Sequence, residues 1–238
     1  MKLALMQPTF NPWLGYFDLI DYVDTFVFFD TVQLNQQSWQ TRNKLKINNG
    51  EYVFSIPIQK NRSKTELFIK DAMIDFRKFD FREKLLKTLE QNYKKSKYFN
   101  EVHPFIKELI FYETNYLSQY SINIITKIVK QLALNTNILI LSETQYKDSL
   151  HKGDLVLDIC KYFNANDYIS PLGSKEYLEN KKNDFLKNQI TLYYQHYYHP
   201  QYEQQGNSFI PYMGIFDLLY NCGFDKDKIV CGREYKKG

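Results

Sequence analysis

Apolar and polar positions along the chain switch between two periods. Lys2–Met6 is a short apolar run stopped by Gln7-Pro8, which predicts a buried strand. Asn11 followed by Pro12 predicts a helix cap and first helical position, and Leu14, Phe17, Leu19, Ile20 and Val23 supply the helical stripe behind it. Thr25–Asp30 (TFVFFD) is apolar almost throughout, as a strand covered on both faces requires. Strand, short helix and strand in this order open a βαβ unit.

Lys44–Ile58 departs from that plan. KLKI and EYVFSIPI flank Asn49-Gly50, a strong hairpin signal, and predict an antiparallel insertion outside the parallel sheet. From about 79 to 134 the pattern is helical, with breaks near Lys97 and Asn115. Leu85, Leu86, Leu89 and Tyr93, then Ile106, Leu109 and Ile110, then Ile125, Ile128, Val129 and Leu132 recur at helical spacing. Strands are then predicted at Asn137–Leu141, Asp167–Ser170 and Ile190–Tyr194, and helices at Asp154–Phe163 and Met213–Asn221, with Gly223 stopping the last. The chain reads as free of repeats, linkers and low-complexity segments. The expected fold is α/β: a Rossmann-like, open, mainly parallel sheet flanked by helices, with a hairpin insertion (about 44–58) and an inserted helical block (about 79–134) in one domain spanning 1–238.

Composition narrows the function without choosing it. Hydrophobic residues at 44% and charged residues at 24% describe a folded globular chain. Lys+Arg 31 against Asp+Glu 27 leaves +4, too small and scattered an excess to call for DNA. No apolar run reaches the 18 or so residues of a membrane span, and MKLALMQPTF does not read as a signal peptide. Cys160, Cys222 and Cys231 are odd in number and widely spaced, which fits free thiols in a cytoplasm. Aromatic residues reach 17%, mostly 20 Tyr and 18 Phe; an AT-rich genome accounts for Lys, Asn, Ile, Tyr and Phe rising together, and the rings also supply flat faces to pack on.

In an open parallel sheet, ligands bind beyond the carboxyl ends of the strands. Polar clusters fall there: Gln7 after the first strand, Asp30 and Gln33 after the second, Ser142-Glu143 after the third, Ser170 to Lys175 after the fourth, and His196 to Tyr202 after the fifth. Ser170-Pro-Leu-Gly173-Ser174-Lys175 offers backbone N–H groups and an amine to an anion, although a plain turn accounts for it equally, and it lacks Walker A spacing. Trp39, Arg42 and Asn43 set an indole beside a guanidinium and an amide, a set that can stack on a ring and grip an anion. His196 and His199 can serve as acid or base, and no Cys or Asp completes a zinc set with them. Asp217 lies within an apolar helix, where a carboxylate needs a partner or a function, and shares a face with Asn221.

Four segments together resemble one family: MQPTFNPWLGYFDLIDYVDTFVFFDTVQ, WQTRNKLK from Trp39, YISPLGSKEYL, and HPQYEQ…FIPYMGIFDLLYNCG, in that order from Met6 to about Gly223. They look like the WbqC-like family, associated with O-antigen and surface-polysaccharide gene clusters, with a suggested glycine (aminoacyl) transferase role on an amino sugar. Against the family's pattern, the aspartate pair after the second strand is Asp30-Thr31, the second Asn of a WxNRN segment is Thr41, and a Ser before the last helix is Gly214. The opening also looks like that of the HxGH nucleotidylyltransferases, with Trp13 and Tyr16 where that motif has its histidines. Indole and phenol carry no positive charge, so that resemblance implies a nucleotide-binding-like sheet without adenylyl transfer.

The first resemblance implies an N-acyltransferase of O-antigen or lipopolysaccharide biosynthesis, acylating the amine of a nucleotide-linked amino sugar in the cytoplasm. His199 or Asp30, with His196 beside them, would take the proton, and Arg42 and Lys175 would hold the diphosphate. Backbone amides near Gly173 would steady the oxyanion. Substrate contacts are expected from Gln7, Trp13, Tyr16, Gln33, Trp39, Asn43, Ser170, Ser174, Tyr202, Gln204, Asp217 and Asn221. No cofactor or metal is expected. The donor is open among a carrier-protein thioester, an activated amino acid and a charged tRNA, so an acyl carrier protein is one candidate partner; oligomeric state is also open. The alternative is a non-catalytic sugar-nucleotide- or glycan-binding protein, or a scaffold, of the same pathway.

Overall fold

The structure is a computed structural model that describes residues 1–35, 38–48, 50–60, 67–147, 152–206 and 208–238. Its centre is a six-stranded sheet made of β1 (Lys2–Met6), β2 (Thr25–Phe28), β5 (Asn137–Ile140), β6 (Asp167–Pro171), β7 (Thr191–Gln195) and β8 (Tyr235–Lys237), in the order β5-β2-β1-β6-β7-β8. Every neighbouring pair is parallel except β7 with β8. The chain leaves β1 toward β2 and later returns on its other side to β6, so the topological switch point lies between β1 and β6.

The continuous apolar runs are strands buried on both faces: Leu3, Ala4, Phe26, Val27 and Phe28 are all sealed from solvent. One sheet face packs against α1 (Leu14–Tyr22), the hairpin β3 (Arg42–Ile47) and β4 (Gly50–Ser55), and the inserted helices α2 (Phe81–Tyr93), α3 (Phe99–Ile110) and α4 (Leu117–Gln131). The other packs against α5 (Lys152–Tyr162), α6 (Lys175–Glu179) and α7 (Lys182–Lys187). Next come α8 (Ile215–Cys222) and α9 (Asp227–Val230). Gly223, at φ 71°, ends α8. Within the hairpin turn, Asn49 lies outside the described residues.

Two sequence expectations change. β2 ends at Phe28, two residues before Asp30, whose carboxylate accepts bonds from the Ser142 backbone N–H (3.1 Å) and hydroxyl (2.5 Å). Asn11 does not cap α1, which begins after Trp13; its side-chain oxygen accepts from the Phe216 N–H (3.0 Å) and so caps α8. The cause is tertiary: Trp13 bridges Gly214 in antiparallel fashion, which brings the first turns of α1 and α8 side by side. Among the described residues, no helix is long and apolar enough to cross a membrane.

Candidate functional site

A cleft of about 540 Å³ opens at the switch point. The end of β1 contributes Gln7 and Thr9, the start of α1 Trp13 and Tyr16, the base of the hairpin Trp39, Gln40, Asn43 and Lys44, β6 and the turn after it Tyr168, Pro171 and Ser174, α6 Tyr177, and the segment before α8 Tyr212. The walls are aromatic and the polar groups are mostly neutral, the composition of a small-molecule site with a few orienting contacts.

These side chains are held by local packing. Trp13 lies over the first turn of α1, where a Cβ on Gly15 would come within 2.2 Å of its ring, so only glycine leaves room for the indole. An edge contact with Tyr197 (5.3 Å between ring centres) and a tilted one with Tyr212 (5.9 Å) fix the other side of the ring. The buried Tyr16 hydroxyl donates to the Gln7 carbonyl (3.0 Å), and burial raises its pKa, keeping the phenol neutral. The Gln40 side-chain amide donates to the Gln7 side-chain oxygen, while Asn43 donates to the Phe10 carbonyl (2.9 Å) and accepts from the Lys44 N–H (2.7 Å). Lys44 pairs with Glu51 at 2.7 Å and is the one ionisable cation in the described lining, which holds no carboxylate and no imidazole.

Of the residues expected from sequence, Gln7, Trp13, Tyr16, Trp39, Asn43 and Ser174 meet in this cleft. Arg42 stands beside it, its guanidinium 5.7 Å from the Trp39 ring centre. Asp30 is buried on Ser142, Gln33 bridges Phe68, and Ser170 is buried with its hydroxyl on the Pro171 carbonyl (3.3 Å). Gly173 faces open space, and the Lys175 amine sits over the Tyr194 ring at 5.5 Å. His196 lies where β7 meets β8, its N–H on the Glu234 carbonyl (2.7 Å).

His199 sits behind the cleft, ringed by Tyr197, Tyr202, Phe209 and Tyr212, the last only 5.0 Å away. Its Nδ1 bonds the Pro200 carbonyl (3.0 Å), its Nε2 is sealed without a partner among the described residues, and burial lowers its pKa, so the ring is neutral at pH 7. Tyr202, Gln204, Asp217 and Asn221 form a separate buried network. The Asp217 carboxylate accepts from Tyr202 (2.7 Å), Tyr93 (2.8 Å) and Gln204 (2.8 Å), and Asn221 donates to the Asp217 carbonyl (2.7 Å). Among the described residues no three His, Cys, Asp or Glu side chains gather as a metal site.

A family model described as the WbqC-like protein family matches residues 7–229. The chain belongs to the WbqC-like family. An uncharacterized protein of Mycobacterium tuberculosis (strain ATCC 25618 / H37Rv) is 28% identical to it over 224 residues, which is 93% of this chain and 94% of that protein. No solved structure matches the chain.

In this WbqC-like chain the sequence reading missed Thr9, Gln40, Lys44, Tyr168, Tyr177 and Tyr212 among the cleft residues. A signal for Tyr212 exists. Pro12-Trp13-Leu14-Gly15-Tyr16-Phe17-Asp18-Leu19 and Pro211-Tyr212-Met213-Gly214-Ile215-Phe216-Asp217-Leu218 are two copies of one pattern, invisible to hydrophobic periodicity because it is short. The copies do equivalent work. Each puts an aromatic ring into the cleft, and each buries its aspartate completely on a glutamine and at least one tyrosine. Asp18 accepts from Gln195 (2.9 Å) and Tyr235 (2.7 Å) and pairs with Arg233 (2.6 Å).

Proposed function

We propose that this protein is an N-acyltransferase, of glycyl or other aminoacyl type, that acylates the amine of a nucleotide-linked amino sugar for O-antigen or surface-polysaccharide synthesis in the cytoplasm, with the switch-point cleft seating the sugar nucleotide. The observation that carries the reading is the cleft itself: aromatic walls and neutral amides at the ligand-binding edge of a nucleotide-binding-like sheet. Indole and phenol faces pack on sugar and base rings, Gln7, Gln40 and Asn43 fix hydroxyl and amide orientation, and Lys44 offers a positive charge to a phosphate. Amide formation needs the free amine. His199, neutral and with its buried Nε2 unpartnered among the described residues behind Tyr212, suits proton removal better than Asp30, whose oxygens are taken by Ser142, provided that Tyr212 moves to let the amine reach it.

The test is a thermal-shift screen against nucleotide sugars with and without a ring amine, followed by mass spectrometry for an amide product. A ligand at 100 times its Kd stabilises by about 2.7 kcal/mol, roughly 5–11 °C for a chain of this size. Trp39→Ala, at a half-exposed rim position, should abolish the shift without unfolding the protein. Shifts that ignore the amine, or that survive Trp39→Ala, would sink the proposal. A second reading, binding without turnover, draws on the described lining's lack of a carboxylate or imidazole. Tight amine-dependent binding with no product from any class of donor would establish it instead.

A further inference from the structure

A second cavity of about 570 Å³ lies beside the first, between the segment after β2 and helices α5 and α6. Phe29, Val156 and Tyr177 line both, so the two spaces share a wall. Leu155 continues the apolar lining, and the polar groups are Glu176 and Asn180, one helical turn apart. The charges of the two spaces are opposite: Lys44 in the first, Glu176 in the second. The Glu176 side chain makes no hydrogen bond or ion pair with any described residue. The lysine one turn beyond, Lys181, is already held by Asp154 at 2.6 Å.

We infer that this second cavity is the donor site, and that it takes a donor bearing a free primary ammonium, such as an aminoacyl ester or thioester, with Glu176 as its counter-charge. This rests on the acyltransferase reading and adds to it where the donor sits and which side chain holds its ammonium. A carboxylate on an apolar floor favours a cation that can shed its water onto both surfaces, and it disfavours an anionic or N-acylated donor, which would leave it unpaired. Two adjoining spaces of opposite charge suit a transfer between two substrates meeting at the shared wall. There the sugar nitrogen forms a bond to the acyl carbon, the acyl carbon's bond to the donor's oxygen or sulfur breaks, and the proton lost by the amine ends on the departing alcohol or thiol.

The test uses glycine benzyl ester, N-acetylglycine benzyl ester and succinic acid monobenzyl ester as probes, titrated by NMR into wild-type protein, Glu176→Gln and Glu176→Lys. Wild type is expected to bind the ammonium ester about fivefold more tightly than the N-acetyl ester, the range of a partly exposed ion pair. Glu176→Gln should erase that preference, and Glu176→Lys should turn it toward the succinyl ester. Glu176 is exposed, so both variants keep the fold. Equal binding of the two glycyl esters by wild type, or a preference that survives Glu176→Gln, overturns the inference. The amino-sugar nucleotide shift, measured on the same three proteins, separates the two ideas: its absence beside an intact ester preference removes the acyltransferase reading and keeps the ammonium site.

Discussion

Replacing Asp217 with alanine tests whether a buried carboxylate holds the second copy of the aromatic–glycine motif in place. The side chain is fully buried and accepts three hydrogen bonds, from Tyr93 (2.8 Å), Tyr202 (2.7 Å) and Gln204 (2.8 Å). Alanine strands the two tyrosine hydroxyls, while the Gln204 amide keeps the Ile210 carbonyl at 2.9 Å. Each stranded buried donor costs about 1–3 kcal/mol. Two give about 2–6, part of which is returned because no carboxylate has to be desolvated, so the expected loss is about 3 kcal/mol. Urea unfolding followed by circular dichroism measures it, with the m-value showing whether the unfolding reaction itself has changed. A loss below about 1 kcal/mol at constant m would refute the network's role.

The same site makes a signed pH prediction. Burial raises the Asp217 pKa from its ordinary 3.8, and the hydrogen bonds from Tyr202, Tyr93 and Gln204 only partly oppose it. Between 3.8 and the raised folded value, the native state therefore holds more protons than the unfolded chain, and the contribution of Asp217 to stability falls as pH rises through that window. Other carboxylates shift too, so the useful quantity is wild type minus Asp217→Asn, in which they cancel. That difference should decline as pH climbs from about 4. A difference that grows with pH contradicts the assignment.

Two further outcomes follow from packing. Arg233→Ala removes the cation facing the buried Asp18 and one of the two cations on Asp21, which keeps Lys226 (2.6 Å), so unfolding should cost about 2–4 kcal/mol less, a Tm lower by roughly 4–16 °C by differential scanning calorimetry; an unchanged Tm would show that Gln195 and Tyr235 suffice for Asp18. Thiol titration at pH 8 in native conditions should label the exposed Cys231 quickly, Cys222 slowly because burial pushes its thiol up to about 11, and Cys160 only on unfolding. Rapid labelling of Cys160 would contradict its place in the core.

Much of the fold was legible because local patterns and tertiary packing agree. TFVFFD reads as a strand buried on both faces, and β2 is one; NILIL reads as a strand too, and is β5, the half-buried edge strand of the sheet. The helical block divided near Lys97 and Asn115, as its three helices do. β8 was missed: Tyr235–Lys237 is too short and polar to show a period, and it is held by partners far away in sequence, with Tyr235 stacked on Tyr22 at 3.7 Å and bonded to Asp18.

The sequence by itself determined the strands, the hairpin, and the placement of Gln7 and Ser174 near one edge, because strand ends are local events and parallel strands point the same way, whereas Trp13 and Tyr16 at the start of α1 and Trp39 and Asn43 at the hairpin reach that edge through the fold. Tertiary structure alone decided which polar groups face the cleft and which support it. Asp30 and Asp217 read alike in sequence as carboxylates seeking a role, yet both are satisfied by distant donors, Ser142 in one case and Tyr93 with Tyr202 and Gln204 in the other. A buried charge must find hydrogen bonds wherever the fold supplies them, and the supplying residues lie as far as 124 positions away. Burial of His199 and the rim position of Tyr212 depend likewise on the pairing of α1 with α8, which a short repeated pattern hints at and only the folded chain brings about.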